Sequence, residues 1–213
     1  MKSLILSLLL LFFTSISFGQ NKLVNFFNAL PEGSRNGIEI KKMNGKWMAH
    51  SQETEQNLPV KLNTTGTYLQ VVDNGTGGGT TTFQLKIFKD NKGTEFIANN
   101  KSWTDGVMGE GGFSFTYVQN GEDATLAVFP DLPETGFFKK DQTKEGFEEY
   151  FTKEYTLGNI PELGNTIELM QGYAGINAAC MEDDKKGCGQ KSKLKPKLIL
   201  KWDAQSDMFM PVN

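Results

Sequence analysis

Apolar and polar residues alternate along most of this chain with the period of two that half-buried β-strands require. In "IEIKKMNGKWMA", Ile38 and Ile40 alternate with polar neighbours ahead of Asn44-Gly45 and Trp47. Asn-Gly supplies the two positive-φ residues of a type I′ turn, so this stretch predicts a tight hairpin. "TFQLKIFKDNKGTEFIA" follows suit: Phe83, Leu85 and Ile87 alternate, Asp90 to Gly93 turn, and Phe96 and Ile97 return. In "FSFTYVQNGEDATLAVF", Phe113, Phe115 and Tyr117 share a face before a turn at Asn120-Gly121 and a return through Ala124, Leu126 and Val128. In "PKLILKWDAQSDMFMP", Leu198, Leu200 and Trp202 share a face ahead of Met208 to Met210. "TYLQVV" (67–72) and "TIELMQ" (166–171) add two strands, for an expected total of roughly nine or ten, joined mostly in sequence order.

Two segments carry a helical period instead. "NKLVNFFNALPEG" puts Leu23, Phe26, Phe27 and Leu30 on one face and is stopped by Pro31 and Gly33. "TKEGFEEYFTKEY" (143–155) places Phe147, Tyr150, Phe151 and Tyr155 at i, i+3, i+4 and i+8, with Thr143 or Asp141 as its cap. The expected fold class is mainly β. It is an antiparallel sheet system of sequential hairpins, a sandwich or a curled sheet, with a short N-terminal helix and one amphipathic helix near 143–155.

The first twenty residues break the alternation. Lys2 precedes an apolar run from Leu4 to Phe13, and Ser17-Phe18-Gly19 puts small residues three and one positions before Gln20. These are the parts of a secretory signal peptide, with a cut expected between Gly19 and Gln20. The apolar run is too short for a stable transmembrane helix, and no later segment is long and apolar enough to span a bilayer. The "SFGQ" ending resembles exported proteins of Bacteroidota, which implies a periplasmic or secreted protein. Residues 20–213 are then expected to form one exported β-rich domain.

Charge narrows the partners. Removing Lys2 leaves one fewer than the 22 basic residues of the whole chain, against 25 acidic ones, so the mature domain is mildly acidic. It has no field to recruit nucleic acid, and no basic-aromatic patch suggests one.

Candidate chemistry is sparse. "DNGTGGGTTT" (73–82) lacks the lysine of a phosphate-binding loop, and a strand rather than a helix follows it, so it reads as a connection between strands. His50 is the only histidine, which excludes metal sites built on several histidines, and no Gly-x-Ser-x-Gly elbow exists to pair with it. Asp105 and Glu110, in "SWTDGVMGEGG", are the least implausible catalytic carboxylates because Trp103 sits beside them. An aromatic platform with carboxylates is one way to build a sugar site, although Trp103 reads equally as core and "TDG" as a turn. No cofactor or metal is implied.

"CMEDDKKGC" holds both cysteines, and an oxidising compartment favours a Cys180–Cys188 disulfide. A ring of this size is worth roughly 2.5 kcal/mol in the chain-entropy picture. Zinc would need two more ligands, and Lys185 and Lys186 offset Glu182, Asp183 and Asp184 as a Ca²⁺ set. These five charged residues and Trp103 are the candidate contacts for a partner. In size, compartment and class the chain is similar to periplasmic inhibitors of lysozymes and proteases. The expectation is an exported, non-enzymatic recognition module that binds another extracytoplasmic protein or a glycan. The alternatives are a carboxylate-dependent secreted hydrolase and a structural component of the envelope.

Overall fold

A computed structural model describes residues 21–75, 78–105, 109–117, 157–170 and 197–212. Several expectations lie outside those residues: the signal peptide, the 143–155 helix, the returning strand at 124–128 and the cysteine loop. The rest is mostly strand, in two antiparallel sheets.

The chain enters through helix α1 (Lys22–Ala29). Asn21 caps it, its Oδ1 accepting from the Leu23 N–H at 2.9 Å. Leu23, Val24 and Phe27 are buried, Phe26 and Leu30 pack beside them, and Pro31 follows the last turn. Seven strands come next, each paired with the one before: β1 (Ile38–Met43), β2 (Lys46–Ser51), β3 (Gln56–Leu62), β4 (Tyr68–Asp73), β5 (Thr80–Lys89), β6 (Glu95–Thr104) and β7 (Gly109–Tyr117). Asn44 and Gly45 carry φ values of 49° and 78°, the type I′ signature that their sequence predicts. At the β5–β6 turn Asp90 Oδ1 accepts from the N–H groups of Lys92 (2.9 Å) and Thr94 (2.7 Å). Burial raises the Asp90 pKa, but these bonds outweigh it and hold the carboxyl below its usual value.

β3 is where the sheet changes course. Its first half, Gln56–Pro59, pairs with β2, and its second half, Val60–Leu62, pairs with β4. Pro59 has no N–H to give and sits at the changeover, where the loss matters least. β1 to β6 therefore share one inner face wrapped around α1. Its core is largely aliphatic: Leu23, Val24 and Phe27 meet Ile38, Ile40, Ala49, Leu58, Leu69, Val71, Phe83, Leu85 and Ile97. Asn28 completes the edge strand, exchanging two hydrogen bonds with the Ile40 backbone at 2.8 and 2.9 Å.

The back of β4–β7 is covered by a second sheet, in the order β11-β10-β9-β8: β8 (Leu157–Asn159), β9 (Thr166–Met170), β10 (Lys197–Asp203) and β11 (Met208–Pro211). Leu198, Leu200 and Trp202 point inward while Lys197 and Lys201 face water, as the alternation predicts. This second core is aromatic. Phe88, Phe96, Phe115, Trp202 and Phe209 lie with centroids 4.8 to 6.4 Å apart.

Being covered on both sides changes the meaning of the polar positions on β5 and β6. Gln84 and Asn100 are buried in the seam between sheets. Gln84 Oε1 accepts from Asn100 Nδ2 and from the Ile160 N–H, both at 3.0 Å, and its Nε2 donates to Asn159 Oδ1 at 2.7 Å. Lys86 donates to the carbonyls of Pro161 (2.6 Å) and Glu162 (3.1 Å). Burial pushes its pKa down, with Glu162 opposing the shift.

Candidate functional site

On β6, Asn99, Lys101 and Trp103 alternate with buried or backward-facing residues and point to the same side as the aliphatic core. Across the β6–β7 ladder their partners are Ser114, Gly112 and Glu110. Here the cover from α1 ends, and the sheet opens as a groove of about 570 Å³. The short turn at Gly33-Ser34 forms one wall and the Gly111–Ser114 strand the other. The volume suits a small ligand or one end of a longer one.

The glycines shape this floor. A Cβ at Gly112 would meet nothing within 4 Å, so the groove stays open there because the residue has no side chain. A Cβ at Gly111 would stand 2.7 Å from the Lys101 carbonyl, so glycine is needed for the two strands to approach. Behind Trp103, a Cβ at Gly79 would lie 2.7 Å from the indole. The glycine-rich connection between β4 and β5 thus backs the ring directly.

Polar groups are held in place around the ring. Lys101 Nζ donates to the Gly33 carbonyl (3.2 Å) and Asn36 Oδ1 (2.7 Å), and lies 5.7 Å from the Phe83 centroid. Asn99 Nδ2 donates to Ser114 Oγ at 3.2 Å, while Asn99 Oδ1 is left without a partner. The groove therefore presents an aromatic ring, an amide, an ammonium group and hydroxyls on rigid strands.

The residues singled out by sequence fare differently. Trp103 is half-buried, belongs to neither core and lines the groove. Asp105 is exposed just past β6 and does not line it. Glu110 occupies the β7 position opposite Trp103, but its side chain lies outside what the structure describes. Cys180, Cys188, Glu182, Asp183, Asp184, Lys185 and Lys186 also lie outside the described residues. His50 sits within β2 rather than in a polar stretch after it, with Nδ1 3.2 Å from Asn57 Oδ1. Among the described residues no three His, Cys, Asp or Glu side chains cluster as a metal set. Asn99, Lys101, Ser114 and Gly112 escape the sequence reading. Their one signal is the parity that puts 99, 101 and 103 on the same side of a strand.

No family model matches the chain, and no curated protein matches it. Among solved structures it is similar to a domain of an uncharacterized protein from Porphyromonas gingivalis W83, a member of the Bacteroidota. The TM-score is 0.53 at 14% identity, over 90% of this chain and 98% of that one. At that identity the likeness concerns fold alone. Among the described residues no helix is long and apolar enough to cross a membrane, which says nothing of β-barrels.

Proposed function

We propose that this chain is an exported recognition module that binds a saccharide in the Trp103 groove without transforming it. The observation that carries this reading is the composition of the groove wall. An indole beside an amide, an ammonium group and two serines, Ser34 and Ser114, matches what a sugar ring offers. Its C–H face packs on an aromatic surface, and its hydroxyls both donate and accept. The carboxylate-dependent hydrolase is less well supported, because Asp105 stands outside the groove and acid–base chemistry on a glycosidic bond needs two acids at fixed separation.

Export belongs to the same proposal, with cleavage between Gly19 and Gln20 and a Cys180–Cys188 disulfide formed on arrival. Intact mass of the mature protein from the envelope fraction, with and without reductant, reads both at once. A glycan array probed with the mature chain tests the binding. Retention of one structurally related set of glycans, lost in Trp103→Ala, is expected. A wild-type chain that retains none, or a Trp103→Ala variant that retains the same set, would overturn it.

A further inference from the structure

One corner of the inner face holds three buried oxygens that nothing satisfies. Asp73, at the end of β4, is 2% exposed. Its Oδ1 accepts from the Gly75 N–H at 3.0 Å, but its Oδ2 has no partner. Thr81 is its direct cross-strand neighbour on β5, is 1% exposed, and has an Oγ1 equally without a partner. The third comes from the β2–β3 turn. A Cβ on Gly75 would stand 2.8 Å from Thr54 Cγ2 and 3.5 Å from Asp73 Oδ1, so Thr54 overhangs the same spot, and its Oγ1 is buried and unpartnered.

A buried carboxylate oxygen with neither donor nor counter-charge is unfavourable, and native structures resolve such groups with water or an ion. A water would supply hydrogen bonds but leave the charge of Asp73 in place. A cation meets both needs. We infer that Asp73, Thr81 and Thr54 form a weak site for a hard, oxygen-preferring divalent cation, Ca²⁺ being the one of matching chemistry. Ca²⁺ accepts mixed carboxylate and neutral oxygen ligands in flexible geometry, whereas Mg²⁺ demands near-ideal octahedra. One carboxylate among the protein ligands points to the millimolar end of the affinity range, the regime of extracellular modules. The site adjoins the glycine-rich connection whose Gly79 backs Trp103, so occupancy steadies that wall of the groove.

The test needs no saccharide and is therefore separate from the groove proposal. Chelator-stripped mature protein is melted with CaCl₂, MgCl₂ or NaCl at matched ionic strength. At ten times its Kd, Ca²⁺ should raise Tm by about 3–5 °C, with a smaller effect of Mg²⁺ and none of NaCl. Asp73→Asn keeps an oxygen for the Gly75 N–H and removes the charge, so it should abolish the rise. Thr81→Val should weaken Ca²⁺ several-fold while leaving the carboxylate, which keeps the test decisive if Asp73→Asn fails to fold. Identical melting in chelator and in Ca²⁺ would mean an ordered water only and would overturn the proposal. A full rise retained in either variant would do the same, by placing the ion elsewhere.

Discussion

The two faces of the β4–β6 region are built from the same strands and end differently. The inner face is aliphatic and closed by α1 and the strands β1–β3, whereas the back face is aromatic and closed by a second sheet. An eight-residue helix is about 12 Å long, but a ten-residue strand runs roughly 33 Å, so the helix cannot cover β5 and β6 from end to end. Cover runs out on the inner side, and what remains uncovered is the groove at Asn99, Lys101 and Trp103. The back face, with its buried Gln84–Asn100 seam, is complete. One face therefore carries stability and the other carries stability plus a site.

That contrast can be broken at several depths. The largest effect is expected from emptying either core. Phe209→Ala removes a fully buried ring packed on Phe88, Phe115 and Trp202, and Phe27→Ala removes the helix's plug, which meets Phe83 edge-on at 5.5 Å. Each should cost about 3–5 kcal/mol in denaturant unfolding. Near-zero cost for one of them would show that its face is not a core.

Next comes the polar seam. Gln84→Leu leaves the Asn100 amide and the Ile160 N–H without their shared acceptor and should cost roughly 2–3 kcal/mol. The equivalent polar residue on the inner side, Asn99, is half-buried at the groove, and Asn99→Leu should stay within about 0.5 kcal/mol. Equal costs would erase the distinction between the faces.

The smallest effect concerns Lys86, in the same seam. Its folded pKa is lowered by burial from the ordinary 10.5. Between the two values the unfolded chain holds a proton that the folded one has shed, so stability rises with pH through that window. Below it both states are protonated and the dependence vanishes. The denaturant midpoint of the wild type should therefore climb relative to Lys86→Met as pH approaches 10.5; parallel profiles would contradict the assignment.

Much of this fold is legible in the sequence where a local rule decides. Asn44-Gly45 dictates its turn, and the alternation of Leu198, Leu200 and Trp202 survives intact because β10 has one wet face. β3 is missed because its polar start and Pro59 argue against a strand, and only the change of partner makes proline tolerable there. β8 is three residues long and carries no period. β5 is read as half-buried, yet Gln84 and Lys86 are buried too, because a second sheet contributed from far along the chain covers them. The groove is the least legible part. Asn99, Lys101 and Ser114 are ordinary outward strand residues, and they become a site only because the helix stops short. Trp103 stands out by type alone.

The central claim is that the uncovered end of the inner face binds a ligand. Gly112→Leu tests it most directly, since a side chain there enters open space and touches no core residue. Titration of a glycan retained by the wild type should show affinity reduced at least ~10-fold, about 1.4 kcal/mol, with an unchanged unfolding midpoint. Undiminished affinity in a folded Gly112→Leu protein would contradict the account.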